Sequence, residues 1–214
     1  LTTLPVNDLE SEGQTVIAVA TGGQLLGIIA LGDTLRPDAV STVAALKARG
    51  IKVVMLTGDN ERAAAVVARQ VGVDDYLAGV LPQHKAEGVA RYRAEGRIVG
   101  MVGDGVNDAP ALAAADVGFA IGAGSAVALD TADVVLMKSE LTSVLDAISL
   151  SRATLSKIRQ NLFFAFIYNL LGLPLAALGL LNPIVAGAAM AMSSVSVVSN
   201  SLLLNRWKPE EKRS

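Results

Sequence analysis

An α/β unit built on a parallel sheet, followed by a two-helix transmembrane hairpin, is the architecture this sequence predicts, and three observations predict it. Short apolar runs of β type alternate with amphipathic stretches that close on glycine. No Asp, Glu, Lys or Arg occurs between Asn161 and Asn205. The whole chain of 214 residues is 52% hydrophobic and only 18% charged, with a mean hydropathy of +0.49, which is too apolar for one ordinary soluble domain.

The same figures exclude an intrinsically disordered chain. A net charge of -2 and a pI near 5.4 give no electrostatic case for nucleic acid. With Cys at 0, disulfides, zinc knuckles and thiol catalysis fall away. Leu1 stands where an initiating Met would, and no charged and apolar leader follows it, so further sequence upstream is expected.

In the soluble part, residues 51–56, 97–102, 117–121 and 134–137 read as buried strands. Residues 37–49, 61–71 and 83–95 read as helices, ended by Gly50, Gly72 and Gly96. Strand and helix in alternation imply a parallel sheet covered by helices, with its chemistry at the carboxyl ends of the strands. Residues 15–20 and 24–31 read as a separate hairpin around Thr21-Gly22-Gly23, and no internal repeat is evident.

The charge-free stretch divides at Leu181-Asn182-Pro183 into two segments, each long enough as a helix to cross a bilayer core of about 30 Å. Phe163, Phe164, Phe166 and Tyr168 lie at its front edge and Trp207 just past its end, as aromatic rings do at membrane interfaces. Arg152, Lys157 and Arg159 precede the first span, and Arg206, Lys208, Lys212 and Arg213 follow the second. By the positive-inside rule both ends face the cytoplasm.

Candidate chemistry gathers at two strand ends. The first is Thr57-Gly58-Asp59 and the second Gly103-Asp104-Gly105-Val106-Asn107-Asp108. Asp104 and Asp108 are four apart across a turn that opens a helix, so their carboxylates can converge on a hard cation such as Mg²⁺. Gly103 and Gly105 would let the backbone approach a phosphoryl group, while Thr57 and Lys85 hold its equatorial oxygens. His84, beside Lys85, reads as a surface residue.

Taken together, Thr57-Gly58-Asp59, the lysine of Leu81-Pro82-Gln83-His84-Lys85, and the run from Gly103 to Leu112 resemble a P-type ATPase. The resemblance implies a phosphorylation domain of the haloacid-dehalogenase type, with Asp33-Thr34-Leu35-Arg36-Pro37 as the strand returning from a nucleotide-binding domain. It implies ATP and Mg²⁺ as cofactors. Asp104 would be a Mg²⁺ ligand, Asp108 and Asn107 its supporting groups, Thr57 a phosphoryl contact and Lys85 the neutralising cation. Gly58 and Asp59 belong to the same set, and Asp33, Arg36, Gly103 and Gly105 to the cofactor-binding one.

Tyr168-Asn169 in the first span and Met190-Ala191-Met192-Ser193-Ser194 in the second resemble the copper-exporting heavy-metal branch. The resemblance assigns Tyr168, Asn169, Met190 and Ser194 to the transported ion, Cu(I) or Ag(I). Independently, a calcium or zinc pathway calls for carboxylates, whereas the thioether of Met190 suits a soft monovalent ion. The division expected is residues 1–31 as a nucleotide-domain remnant, 32–150 as the phosphorylation domain, 151–160 as a stalk, 161–205 as two membrane helices and 206–214 as a cytoplasmic tail.

No Asp-Lys-Thr-Gly-Thr and no Cys-Pro-Cys occur in the sequence. The chain is therefore expected to be the C-terminal portion of a cell-membrane pump, inactive alone, whose partners are the bilayer, the N-terminal part of the same pump and a metallochaperone. A membrane-anchored phosphatase of the haloacid-dehalogenase type and a non-catalytic membrane fragment remain as alternatives.

Overall fold

A computed structural model describes residues 6–11, 14–32, 34–104, 107–122, 130–179 and 182–209. Two compact units are present, residues 1–145 and 146–214.

In the first unit, a short helix α1 (Val6–Ser11) precedes an antiparallel hairpin of β1 (Thr15–Thr21) and β2 (Gln24–Leu31). Its turn has Gly22 and Gly23 in the left-handed region, the backbone that a tight hairpin of right-twisted strands requires. After it come α2 (Ala39–Ala48), β3 (Val54–Leu56), α3 (Glu61–Val71), β4 (Asp75–Leu77), a 3₁₀ turn (Pro82–His84), α4 (Lys85–Ala94), β5 (Gly100–Gly103), α5 (Ala109–Ala114), β6 (Val117–Ile121) and β7 (Val134–Leu136). Both sheets in this part are parallel, β3 with β4, and β5 with β6 with β7.

The helices end as their sequence predicts. Gly50, Gly72 and Gly96 all have φ near +75 to +79°. After each, the next residue donates its N–H to a carbonyl five back, Ile51 to Leu46 at 3.2 Å, Val73 to Ala68 at 3.2 Å and Arg97 to Tyr92 at 3.3 Å. Orphan carbonyls at each helix end are thereby satisfied.

The strands are shorter than the apolar runs suggest. The run 51–56 pairs only as Val54–Leu56, and 97–102 as Gly100–Gly103. The reason is that the amide groups of Val53 and Val99 are taken by carboxylates: Val53 N–H donates to Asp74 Oδ2 at 2.9 Å and Val99 N–H to Asp116 Oδ2 at 2.8 Å. Strand β4 lies outside the expected set, because Asp75-Tyr76-Leu77 carries too little apolar patterning to read as a strand. Apolar burial is likewise in two pieces. Ala39, Val43 and Val71 form one cluster with Val53 and Val67 against it, while Val89, Met101, Ala111 and Leu112 form the other.

The second unit is a helical hairpin of α6 (Ser143–Ala177), whose first turn belongs to unit one, and α7 (Pro183–Leu202), which runs on into a 3₁₀ turn (Leu203–Arg206). Both helices are long and apolar enough to cross a membrane. Gly179, in the left-handed region, follows the end of α6. Asn182 caps α7 by accepting from Ile184 N–H at 2.9 Å, with Pro183 at the first helical position. Leu181, part of the expected turn, lies outside the described residues.

Candidate functional site

The carboxyl ends of β3 and β5 carry the two loops singled out above. Thr57 continues β3, its N–H donating to Leu77 O at 3.0 Å and its carbonyl accepting from Val80 N–H at 2.9 Å. Its hydroxyl donates to Asp59 Oδ2 at 2.7 Å, and Asp59 N–H donates back to the same hydroxyl at 3.1 Å. Gly79 N–H then donates to Asp59 O at 2.7 Å, so the Thr57-Gly58-Asp59 turn is stitched to the loop after β4. Asn60 caps α3, accepting from Ala63 N–H at 3.0 Å.

The second loop reaches further. Lys85 Nζ donates to Asp108 Oδ1 at 2.7 Å, with the two side chains only 19% and 13% exposed. This pair joins the start of α4 to the start of α5. Gly103 makes room for it, since a Cβ there would stand 2.7 Å from both Asp108 Cβ and Asp108 Oδ2. That is a stricter demand for glycine than the phosphoryl approach expected of this position.

Helix α4 is itself set by a close approach. A Cβ on Gly88 would come within 2.9 Å of Leu56 Cδ2 and 3.4 Å of Leu77 Cδ1, so α4 lies hard against β3 and β4 while Val89 packs with Met101 and Leu112. Lys85, one turn earlier on α4, is carried thereby to the strand ends. Sequence reasoning passed over Gly88, although a glycine inside a helix costs about 1 kcal/mol relative to Ala, and is a signal of close packing.

Asp104 is exposed at the end of β5, and Asn107 is exposed as well. An open carboxylate followed by an amide is an oxygen donor set that fits Mg²⁺, which binds through one or two carboxylates and completes its shell with water and phosphoryl oxygens. Among the described residues no three His, Asp or Glu side chains gather as a metal cage. Arg36 donates to Ser139 O, a contact that ties the segment before α2 to the one before α6. Asp33 and Gly105, both expected at the cofactor, lie outside the described residues. His84 is exposed, as expected.

Charge at the opposite edge of the unit follows a different rule. The N–H of Val53, with the Lys47 ammonium 2.9 Å away, holds the Asp74 carboxyl below the usual carboxylate range. The N–H of Val99 does the same for Asp116, assisted by Arg93 at 2.9 Å. Tyr92 donates to Asp75 Oδ2 at 3.0 Å, which lowers Asp75, while burial and that same bond raise the Tyr92 hydroxyl.

In the helical hairpin, Tyr168 is half-buried with its hydroxyl 3.4 Å from Ser196 Oγ. Asn169 Nδ2 donates to Ala165 O at 2.9 Å and Ser194 Oγ to Met190 O at 3.3 Å, each bond within its own helix. Asn169 and Ser194 are exposed and Met190 is 70% exposed. The two helices alone thus bring Tyr168 to Ser196 and leave Met190, Ser194 and Asn169 on outer faces.

Known proteins give this geometry its context. Residues 2–116 match the haloacid dehalogenase-like hydrolase family. Over 93% of this chain, and 28% of its own length, a probable copper-importing P-type ATPase A of Enterococcus hirae is 56% identical. A copper-exporting P-type ATPase of Bacillus subtilis is 51% identical over 95% of this chain and 25% of its own. The crystal structure of a zinc-transporting PIB-type ATPase in the E2.Pi state superposes with a TM-score of 0.80 at 44% identity, covering 93% of this chain and 33% of that one. The chain spans about a quarter of the length of the curated relatives it matches. With the parallel ladders, the paired Lys85 and Asp108 at the strand ends and the two apolar helices, these likenesses establish that the chain belongs to the haloacid dehalogenase-like hydrolase family, in its heavy-metal P-type ATPase branch.

Proposed function

We propose that this chain is the C-terminal portion of an ATP-driven export pump for a monovalent heavy metal, Cu(I) or Ag(I), working through an aspartyl-phosphate intermediate. The observation that carries the reading is the absence of any Asp, Glu, Lys or Arg from Asn161 to Asn205, a stretch that holds the thioethers of Met190 and Met192. A divalent hard or borderline cation in a bilayer calls for anionic ligands, whereas a soft monovalent one is satisfied by sulfur. The names of the relatives support copper, one as importer and one as exporter, and a zinc transporter lies structurally near.

In this reading ATP phosphorylates an aspartate supplied by the pump upstream of this chain. Asp104, with Asn107, would hold Mg²⁺, which neutralises charge on the transferred phosphoryl group. Thr57 contacts that group, in the turn completed by Gly58 and Asp59. Lys85 offers it a positive charge from its place against Asp108. In the membrane Met190 ligates the ion, and the hydroxyl and amide groups of Tyr168, Asn169 and Ser194 orient or relay around it. The pump sits in the cell membrane with both ends of this chain in the cytoplasm, where a metallochaperone delivers the ion.

The test is Met190→Leu in the full-length protein, which conserves volume and removes the sulfur. Copper-stimulated ATP turnover should vanish with little change in thermal stability. Full copper stimulation in the variant, together with equal stimulation of the parent by zinc, would overturn the copper reading.

A further inference from the structure

Along the seam between α6 and α7, most of the half-buried positions of α7 are small or weakly polar: Ala186, Ala189, Ser193 and Ser196. Small residues allow close approach but do not fix how far one helix slides along the other. At the end of the seam that leads to Arg206 the chemistry changes. Lys157 Nζ donates to Asn200 Oδ1 at 2.8 Å and to Gln160 Oε1 at 3.3 Å. Asn200 Nδ2 donates to Asn161 Oδ1 at 2.8 Å, Asn161 Nδ2 to Ser201 Oγ at 2.7 Å, and Ser201 Oγ to Val197 O at 2.8 Å. Asn200 is 9% exposed, the one buried polar residue of the hairpin among those described.

This chain of bonds has a direction that its ends impose. An ammonium only donates, so Asn200 must turn its oxygen toward Lys157 and its NH₂ toward α6. The NH₂ then requires an oxygen from Asn161, which turns the NH₂ of Asn161 toward Ser201, and the Ser201 hydroxyl donates to a backbone carbonyl, which only accepts. Sliding one helix by a turn would leave several of these groups unpaired against apolar side chains, where an orphan amide is costly. Tyr168 and Ser196, two turns further along α6, meet at 3.4 Å, the long limit of a hydroxyl bond, and cannot hold the register themselves.

We infer that Lys157, Asn161, Asn200 and Ser201 form a positioning clamp that fixes the register of α6 against α7, and through it the placement of Tyr168 against Ser196. The inference deepens the pump reading and rests on it for its consequence in transport. The clamp residues touch no transported ion; they act through the register.

Two measurements test this. The chain has no native cysteine, so Arg206→Cys gives a single nitroxide site in the detergent-solubilised chain, whose NMR line broadening should centre on α6 near Ser149, the residue that Trp207 Nε1 meets at 3.4 Å. Asn200→Leu should move that centre along α6. Asn200→Asp, which keeps the acceptor for Lys157 and loses the donor to Asn161, should move it less. In the full-length pump Asn200→Leu should raise the copper concentration for half-maximal ATPase about tenfold with kcat within about threefold. Adding Lys157→Met should then change little more, because both substitutions break one chain. An unmoved broadening centre in both Asn200 variants, or additive effects of Lys157→Met and Asn200→Leu, would overturn the clamp. A parent pump without metal-stimulated turnover overturns the pump reading alone, and the broadening pattern then decides the clamp.

Discussion

The soluble unit contains two βαβ halves, one from α2 to β4 and one from α4 to β6, and their amino ends are built alike. In each, a cation in the last turn of the helix, Lys47 or Arg93, meets an aspartate standing just before the second strand, Asp74 or Asp116. In each, that aspartate accepts the free N–H of the residue leading into the first strand, Val53 or Val99. At the carboxyl ends the halves part. The loop after β3 is closed on itself and on its neighbour strand's loop, Thr57 with Asp59 and Asn60 with its own helix. The loop after β5 sends Asp108 out to Lys85 on another helix and leaves Asp104 open. Identical construction at one edge serves folding. Divergence at the other falls where the phosphoryl site is proposed.

The largest expected effect separates the two edges directly. In the full-length pump, Asp104→Asn removes one negative charge from the proposed Mg²⁺ site while keeping shape, and a transition-state contact of this kind is worth about 3 to 4 kcal/mol, so ATP turnover should drop by about a hundredfold or more. Asp116→Asn, at the other edge, should lower the melting temperature and leave turnover close to the parent's. Equal losses of turnover in the two variants would erase the distinction.

A smaller effect probes the glycines on which the second half depends. A Cβ at Gly103 meets the Asp108 side chain at 2.7 Å, whereas one at Gly118 meets the backbone oxygen of Leu112 at 2.9 Å. Both Gly103→Ala and Gly118→Ala should cost about 1 to 3 kcal/mol in stability, measured by denaturant titration. Only Gly103→Ala should also depress turnover in the intact pump, because it displaces Asp108 from Lys85. Normal turnover in Gly103→Ala would mean that the carboxylate can shift without consequence.

The smallest effect is one of pH. Asp74 and Asp116 titrate below their unfolded range, held there first by a backbone N–H and then by their cations. Their contribution is complete above the unfolded carboxylate value of about 3.9 and fades as the pH falls through the lower folded values. Stability should therefore decline below about pH 4, and Asp74→Asn with Asp116→Asn should flatten that decline. An unchanged acid limb in the double variant would show that other carboxylates govern it.

Much of this was readable without coordinates. Gly50, Gly72 and Gly96 announced helix ends because only glycine enters the left-handed region without strain. The charge-free stretch announced two helices because a bilayer core accepts no unpaired charge. Asp104, Asn107 and Asp108 stood out because three such groups in five residues exceed what a turn needs, and Thr57 and Lys85 stood out through the ordered set they complete. The repeat of the two βαβ halves rests in the sequence on one short shared spacing, Lys47-Ala48 with Gly50, Val53 and Met55 against Arg93-Ala94 with Gly96, Val99 and Met101, and only the matching pairs of Lys47 with Asp74 and Arg93 with Asp116 show what it builds.

The sequence by itself determined where elements stop, which segments are apolar throughout and which loops carry carboxylates, because these depend on local backbone freedom and on transfer from water. Tertiary structure alone decided which carboxylate is bound and which is open. Asp108 and Asp104 sit four residues apart in one motif, yet only the packing of Gly88 against Leu56 and Leu77 brings Lys85 to Asp108. It also decided that Tyr168 faces Ser196 and that Asn200 is buried between Lys157 and Asn161. A pairing between distant helices depends on their register, and register is a sum over many weak contacts that no single residue declares.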